Sequence, residues 1–536
     1  MRLTTRFILS VLLFGASVPA MAQVHFYRGY QAGEFSYGSC ITPGPDGSVF
    51  VAGGRSTSGF VQDMLLLNLS ATGDPLNIRK LDIDESDYPY SLLDLGGGRL
   101  MIGGSSGEFG FQPERDMVLI KTGTTGMLAD IHSWGTADST EILKDLVPYG
   151  NDLLVLGGTE YDDVTTQPAF LLLRCDTSYN LLSGIAAHVG PGRHHAGALA
   201  VAPDGSVYLV GANFIPVQGE SYDAVLFVLK FSANGDMQWA RSFDVPGNMD
   251  YSAMDAAVAT DGSMFVMQSY SNATDGQALF HITEAGELLW CKQFKEPALP
   301  GLKFARMLLY DGVMYLAGRN GFSAVDSRPV LMQCSLSGEV VWARKFGPGG
   351  STGGLVDLCI APTPEGPLAL WGVGTLRTQQ SEPEQMLLMK VDLQGNGVTE
   401  CVLQELGVVA TDVVPLEATP VVELWPYDHS TPQTIEVVAD QMELWTGCLA
   451  IGIAETEQGA SSLFPNPTWG PCTIDFQDLS PRRITVYDAT GRTVPAAATM
   501  GHARAQVDLS ERPSGVYVIH AVDAAGRSAV QRVLKQ

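Results

Sequence analysis

The sequence has 536 residues, and 45% of them are hydrophobic, so the chain can form a large core and at least one further domain. Its formal charge is −26 at pH 7, because 58 Asp and Glu outnumber 32 Lys and Arg. Binding to nucleic acid or to an anionic membrane requires surfaces rich in Lys and Arg, so this balance argues against both partners.

The first 22 residues have the features of a secretory signal peptide. Two arginines lie within the first six residues, and residues 7–16 are apolar but too short to span a bilayer. Ala20 and Ala22 are the small residues of a cleavage site, which predicts Gln23 as the first residue of the mature chain. No other apolar run reaches the length of about 18 residues that a membrane crossing needs, so we predict a secreted protein without a transmembrane segment.

The next part of the chain repeats a pattern of four strands, which residues 199–243 show best. Apolar runs flank Asp204-Gly205, and a second pair of apolar runs flanks Asn234-Gly235. This arrangement predicts two β-hairpins, with type I′ turns in which both central residues have positive φ. A four-stranded unit cannot bury both of its faces alone, so we expect the copies to stack on one another.

The number of copies follows from the second strand of each unit. These strands end at residues 53, 103, 157, 211, 268, 318 and 372, with intervals of 50 to 57 residues. Seven copies of this length predict a seven-bladed β-propeller in an all-β chain. Three copies carry a tryptophan in the fourth strand (Trp239, Trp290 and Trp342), and we expect these tryptophans to pack between blades. Residues 25–30 (HFYRGY) resemble that fourth strand, so we predict that the N-terminal strand completes the last blade.

The repeats resemble those of the seven-bladed propellers of secreted bacterial proteins. Residues 204–211 carry the Asp-Gly-x-x-Tyr-x-x-Gly part of that pattern, and residues 223–239 carry most of the remainder. The resemblance covers residues 24–401. It implies a fold and no particular reaction.

An acidic segment follows at residues 402–458. It contains ten Asp and Glu and no Lys or Arg, together with apolar runs that argue against disorder. We predict a partly β connector and consider a disulfide between Cys401 and Cys448. The carboxylates lack the close spacing of a calcium loop, and we predict no metal site. The cysteines of the repeats are expected to be buried thiols, although a Cys40–Cys359 pair stays open because both occupy the same place in their repeats.

The last 78 residues, 459–536, contain short alternating strands with Pro, Gly and Asn turns, which predict a small β-sandwich. This segment resembles the C-terminal sorting domain of type IX secretion cargo in Gram-negative bacteria. The resemblance implies recognition by the outer-membrane translocon and its sortase, and then release or attachment to surface lipopolysaccharide. The residues that carry the resemblance are Pro465, Asn466, Pro467, Pro513, Gly515, Tyr517, Val518, Gly526 and Lys535.

No local motif in the chain indicates catalysis or a cofactor. The paired His194 and His195 have no further ligand at metal spacing and are expected to lie in a solvated loop. In a propeller the loops before the first strands gather around one mouth of the central channel, where tyrosine, histidine and arginine suit a glycan or peptide ligand. Candidate residues there are Tyr37, Tyr90, His194, His195, Tyr251 and Arg306, with Tyr88 and Lys303 beside them.

The sequence therefore predicts a signal peptide (1–22), a propeller (23–401), an acidic connector (402–458) and a sorting domain (459–536). We expect a secreted or surface-attached binding or scaffold module. The alternative is a propeller hydrolase or lyase acting on polysaccharide, whose carboxylates would come from different blades.

Overall fold

The computed structural model describes residues 24–536 apart from 59–60, 109–114, 137–139, 161–168, 191–192, 217–221, 246–250, 271–276, 298–300, 322–326, 364–367, 380–381, 399–402, 428–434, 441, 452–461, 476–480, 489–492, 502–503 and 524–527. The described residues form β-strands and a single 3₁₀ turn at Pro45–Gly47. The signal peptide prediction, with its cleavage site at Ala20, Ala22 and Gln23, lies outside them. Among the described residues, no helix has the length and apolar character that a membrane crossing requires.

Strand β1 (Val24–Gln31) opens the chain, and seven groups of strands follow it. Blade 1 consists of β2 (Phe35–Pro43), β3 (Val49–Ser58), β4 (Val61–Leu69) and β5 (Pro75–Asp82); blade 2 of β6 (Ser86–Gly96), β7 (Arg99–Gly107), β8 (Arg115–Gly123) and β9 (Leu128–Trp134); blade 3 of β10 (Thr140–Tyr149), β11 (Asp152–Glu160), β12 (Phe170–Asp176) and β13 (Leu181–Val189); blade 4 of β14 (Arg193–Val201), β15 (Val207–Pro216), β16 (Tyr222–Phe231) and β17 (Met237–Asp244); blade 5 of β18 (Tyr251–Val258), β19 (Met264–Tyr270), β20 (Gln277–Ile282) and β21 (Leu288–Lys295); blade 6 of β22 (Lys303–Tyr310), β23 (Val313–Asn320), β24 (Arg328–Ser335) and β25 (Val340–Phe346); and blade 7 of β26 (Thr352–Pro362), β27 (Leu368–Arg377), β28 (Gln385–Asp392) and β1.

The seven blades close into a ring. The first strand of each blade contacts the first strand of the next, and β26 of blade 7 contacts β2 of blade 1. Strand β1 pairs antiparallel with β28, so that Phe26 lies opposite Lys390 and Tyr30 opposite Met386. The chain is therefore a seven-bladed β-propeller, and the N-terminal strand completes its last blade as predicted.

The fourth strands pack against the turn of the following blade. Trp239 lies against Gly286, where an added Cβ would stand 3.1 Å from the indole, and Trp342 lies against Gly395, where the distance would be 2.8 Å. Trp290 packs in the same way on Gly338. These glycines have positive φ, which the turn requires and which glycine adopts most easily. A larger residue would also collide with the tryptophan indole that packs on the turn. The prediction that these tryptophans pack between blades is confirmed.

The turns within the hairpins are not the predicted type I′. Five residues separate the paired Val201 and Val207, and the Gly205 N–H donates to the carbonyl of Ala202. Only Gly205, at φ +84°, has a positive φ, since the loop is longer than the two residues of a type I′ hairpin. In the second hairpin of blade 3, which has no counterpart of Gly235, Tyr179 takes the left-handed position at φ +68°.

In the described part of the chain, the acidic segment adds a fifth, outermost strand to blade 1 and to blades 3–7. We call residues 403–451 the belt; it pairs antiparallel with the outer strands of blades 6, 5, 4, 3, 1 and 7 in that order. Its strands are β29 (Leu403–Glu405) on β25, β30 (Val409–Asp412) on β21, β31 (Leu416–Ala418) on β17, β32 (Val422–Pro426) on β13, β33 (Glu436–Ala439) on β5 and β34 (Glu443–Ile451) on β1.

Opposite charges accompany this pairing. Glu405 of the belt accepts from Arg344 at 2.6 Å, and Asp440 accepts from Arg55 of blade 1 at 2.5 Å. Asp412 lies 3.9 Å from Lys292.

All strands from β1 to β34 belong to one compact unit. The domain boundaries at residues 401 and 458 stay predictions.

The C-terminal unit is a sandwich of two four-stranded sheets, as predicted. Buried Ile474, Val507, Ile519 and Val533 lie in one hydrophobic cluster drawn from both sheets. The first sheet contains β35 (Ser462–Phe464), β36 (Pro471–Asp475), β40 (Arg504–Asp508) and β39 (Ala497–Met500), and the second contains β38 (Thr493–Val494), β37 (Pro481–Asp488), β41 (Gly515–Asp523) and β42 (Ser528–Lys535).

Candidate functional site

Three buried aspartates on the first strands join neighbouring blades around the channel. Asp145, Asp255 and Asp357 are 7%, 3% and 8% exposed. One oxygen of each accepts from the N–H of the following residue, and the other accepts from a backbone N–H of the next blade. The cross-blade donors are Leu199 to Asp145 at 2.9 Å, Met307 to Asp255 at 2.6 Å and Ile41 to Asp357 at 2.8 Å. The last of these joins blade 7 to blade 1, where the ring closes.

Arg306, one of the predicted ligand-face residues, lies between two of these aspartates. Its Nη1 is 3.4 Å from Asp255 Oδ1, and its Nε is 3.0 Å from Asp357 Oδ1. Burial raises the pKa of Asp255 to about 6, although the charge of Arg306 opposes the shift. Burial likewise raises the pKa of Asp145 and of Asp357. The Arg306 side chain is 42% exposed, so its guanidinium contacts the carboxylates and also faces the solvent of the channel.

Sequence reasoning missed these aspartates. Each is a single acidic residue inside an apolar strand, and no local motif contains two of them. The signal that could have found them is their equivalent place in copies 3, 5 and 7 of the repeat, in Lys-Asp-Leu, Met-Asp-Ala and Val-Asp-Leu.

Three tyrosines group together on the first strands of blades 1 and 2. Tyr37, Tyr88 and Tyr90 are half-buried. The Tyr37 hydroxyl donates to Gln62 Oε1 at 3.0 Å, and its ring lies on Gly54, where an added Cβ would come within 2.5 Å of the ring. Burial raises the pKa of the Tyr37 phenol, and the nearby groups Tyr90 and Tyr88 add to the shift. We call Tyr37, Tyr88 and Tyr90 the tyrosine cluster.

Charged side chains surround the tyrosine cluster. The guanidinium carbon of Arg115 lies 4.7 Å from the centre of the Tyr88 ring, and Lys144 Nζ lies 5.8 Å from the centre of the Tyr90 ring. Asp87 is fully buried, and its Oδ1 accepts from Ser106 Oγ at 2.6 Å. Burial raises the pKa of Asp87 to about 7. The buried Asp87 carboxyl also accepts from the N–H groups of Ile83 and Asp84, so the cluster offers a ligand aromatic faces and cations, a combination that can hold a polar ligand.

The two histidines do not lie in a solvated loop, so that prediction is wrong. Both belong to strand β14, and His194 is only 4% exposed. Its Nε2 lies 2.8 Å from the Val189 carbonyl, and its ring packs edge-on against Phe170. His195 is half-buried beside Phe214, with 5.0 Å between the ring centres. The strand buries His194 between blades 3 and 4, which makes it a packing residue, and leaves His195 half-buried.

The remaining predicted residues fall in different places. Lys303 is 9% exposed at the start of β22, and Tyr251 begins β18, although its side chain lies outside the described part of the chain. Cys401 also lies outside it, as does the Cys448 side chain, so that disulfide stays a prediction. Cys40 and Cys359 are separate buried thiols and do not form a disulfide. Among the described residues, no group of three His, Cys, Asp or Glu could hold a metal ion.

In the C-terminal unit, residues from the two ends of the predicted motif meet. The Asn466 amide donates to the Arg532 carbonyl at 2.9 Å and accepts from the Leu534 N–H at 2.9 Å. The Tyr517 hydroxyl donates to the Pro513 carbonyl at 2.8 Å. Pro465 and Pro467 are exposed, and Lys535 is 9% exposed at the end of β42. Gly526 lies outside the described residues.

Comparison with known families assigns this unit. Residues 462–536 match the family described as the secretion system C-terminal sorting domain. The C-terminal unit is a type IX sorting domain. This sorting domain marks the protein for export, either to the cell surface or into the medium. No curated protein matches the chain significantly.

Several solved structures are similar to part of the chain, 59–70% of its length in the three described here. An α-L-arabinanase of Penicillium chrysogenum complexed with arabinobiose is 15% identical, with a TM-score of 0.40 over 70% of this chain and 98% of its own. An α-L-arabinofuranosidase of Fusarium graminearum with arabinobiose is 11% identical, with a TM-score of 0.41 over 59% and 98%. Polysaccharide lyase Uly1 is 8% identical, with a TM-score of 0.41 over 67% and 90%.

Proposed function

We propose that this exported propeller is a binding module that holds a glycan or a peptide at the tyrosine cluster. The observation that carries the proposal is the grouping of three half-buried tyrosines with Arg115 and Lys144 stacked on two of them. Aromatic faces bind sugar rings and extended peptides through apolar contact, while hydroxyls and cations orient the ligand. We further propose that the translocon and sortase of type IX secretion recognise the sorting domain and that the mature protein is released or attached to lipopolysaccharide.

The hydrogen bonds that already occupy the channel aspartates support binding over catalysis. Both oxygens of Asp145, Asp255 and Asp357 accept backbone N–H groups, so these carboxylates already have a role in joining blades. A glycosidase needs two carboxyl groups that reach a sugar ring from opposite sides. Arg306 further ties two of the three aspartates together.

The test is a screen of residues 23–536 against glycans and peptides, followed by titration calorimetry of each ligand found. Tyr37→Ala and Tyr90→Ala should weaken binding about tenfold or more, since each removes an aromatic contact of about 1.5 kcal/mol. Tyr310→Ala is the matched control, because Tyr310 is an exposed tyrosine at the far end of β22. Equal affinity in all three variants would refute the tyrosine cluster as the site.

A polysaccharide hydrolase or lyase is the second candidate, and the raised pKa values of Asp255 and Asp87 favour it. Carboxyls with pKa values near 6 to 7 are suited to acid–base catalysis, and these come from different blades. Product analysis on each glycan that binds separates the two functions. Turnover that is lost in Asp255→Asn or Asp87→Asn, while binding is retained, would replace the binding-module proposal.

A further inference from the structure

A cavity between blades 6 and 7 is lined by two cationic side chains and is distinct from the tyrosine cluster. Its volume is about 260 Å³. Lys303 and Arg319 of blade 6 lie on one side, and Gly354 and Thr375 of blade 7 lie on the other. Since a water molecule occupies about 30 Å³, the cavity has room for an anionic group together with several waters.

The two cations are direct cross-strand partners. Lys303 of β22 lies opposite Arg319 of β23 in the register of the two strands. Like charges placed opposite one another destabilise a sheet, and here one of the two is almost buried. Burial lowers the pKa of Lys303 to about 8, and the charge of Arg319 contributes to the shift. An anion placed between the two cations would reduce the repulsion between them.

Arg319 is exposed, whereas the side chains of Arg55, Lys230 and Arg344 are at most 16% exposed. Arg55, Lys230 and Arg344 each have a carboxylate oxygen within 2.9 Å. Within the described part of the chain, Arg319 has no such ion pair. A chain with 58 acidic residues has many carboxylates available for pairing, so a cation left at a cavity is a candidate for an external anion.

The cavity exists because blade 7 has a glycine, without a side chain, where it faces the two cations. Gly354 and Thr375 form the register pair that faces the two cations. A Cβ on Gly354 would come within 3.0 Å of Arg319 Cβ and 3.2 Å of its Cδ, so the arginine stem runs directly over the glycine. Gly354 therefore allows Arg319 to extend along the cavity.

We propose that Lys303 and Arg319 form a subsite for the carboxylate or sulfate group of an acidic saccharide. The choice of a saccharide rests on the proposed function, because the tyrosine cluster supplies the sugar-stacking surface of the same propeller. A guanidinium binds a carboxylate or sulfate through two parallel hydrogen bonds, and the ammonium of Lys303 adds a point charge.

The first experiment titrates inorganic sulfate into residues 23–536 by calorimetry at pH 7. Arg319→Ser and Lys303→Met should each weaken sulfate binding about tenfold or more, because each removes a charge-assisted hydrogen bond. Arg99→Ser, which removes an exposed arginine at the start of β7, should leave it unchanged. Binding should also weaken from pH 7 to pH 9 as Lys303 loses its proton. No sulfate binding, or equal binding in all variants, would overturn the subsite.

The second experiment compares tetragalacturonic acid with its methyl ester, which has the same backbone without the charges. We expect the acid to bind at least tenfold more tightly, and Arg319→Ser to abolish that preference. Sulfate binding without a preference for the acid would refute the saccharide assignment and leave a site for free anions. Binding of neutral glycans that Tyr37→Ala weakens, with no sulfate binding, would refute the subsite and retain the proposed function.

Discussion

Replacing Arg306 with methionine tests whether the channel charges stabilise the ring. The substitution keeps an unbranched side chain but removes the cation that lies 3.4 Å from Asp255 and 3.0 Å from Asp357. Removing one partner of a buried ion pair costs about 3–5 kcal/mol, because the other charge stays buried without compensation. Arg306 is 42% exposed, so solvent screens part of its charge, and we expect a loss near the lower end, about 3 kcal/mol at pH 7.5.

The pH dependence separates this electrostatic loss from a loss of packing. The pKa of Asp255 in the folded chain is raised to about 6, above its unfolded value, so its ionisation destabilises the fold at pH 7.5 and that cost disappears as the pH falls. Without Arg306 the cost of ionisation grows, because the charge that opposes the shift has gone. The destabilisation by Arg306→Met should therefore be larger at pH 7.5 than at pH 5.

Urea unfolding of residues 23–536 measures the effect at both pH values. Tryptophan fluorescence reports mainly on the propeller, since seven of the eight tryptophans precede residue 453. Arg174→Met is the matched control; it breaks a single pair whose carboxylate, Asp152, is more exposed than Asp255 or Asp357, and it should cost less than about 1 kcal/mol at either pH. A loss of the same size at pH 5 and pH 7.5 would refute the electrostatic account.

Four further predictions follow from named contacts. Tyr179→Gly should destabilise the propeller in urea by about 2–3 kcal/mol, because relief of a left-handed residue (about 1–2 kcal/mol) is smaller than the loss of a buried aromatic side chain; a net gain would contradict this. Glu405→Gln should cost less than about 1 kcal/mol, and 1 M salt should abolish the difference, since Glu405 is largely exposed. Asn466→Ala should lower the unfolding temperature of the C-terminal unit and leave the propeller transition in place, because two hydrogen bonds to β42 are lost. Removal of residues 459–536 should leave the protein in the periplasm of its host, as fractionation would show; arrival at the surface would contradict the role of the sorting domain.

Much of the ring could be predicted because its determinants are local and repeated. The strand endings gave seven copies, and the incomplete N-terminal unit indicated the closing strand. The turn type was predicted wrongly because Asp-Gly was read as a two-residue loop, whereas five residues separate Val201 from Val207. The burial of His194 was missed for a different reason: a pair of histidines looks polar in isolation, and only the pairing of β14 with β15 places it inside the blade.

The candidate site was predictable only in part. Tyr37 and Tyr90 were predicted from the rule that loops before first strands converge at the channel; both lie on the first strands themselves, and their part in binding stays a prediction. The pairing of Lys303 with Arg319 depends on cross-strand register. The hydrogen bonds that Asp145, Asp255 and Asp357 accept across blades depend on the backbone of the neighbouring blade. Such contacts join residues about 16 to 316 positions apart in sequence, and no local pattern contains them.

The course of the belt explains why an acidic segment follows a propeller whose fourth strands carry Arg and Lys. Each blade would otherwise expose an outer strand edge that invites pairing with another chain. The belt pairs antiparallel with those edges in the reverse order of the blades, and Glu405, Asp412 and Asp440 meet cations that the blades present. Its last strand, β34, covers β1, the strand that closes the ring. The N-terminal strand is therefore held between β28 and β34, so detaching β1 from the sheet requires the loss of two sets of strand hydrogen bonds rather than one.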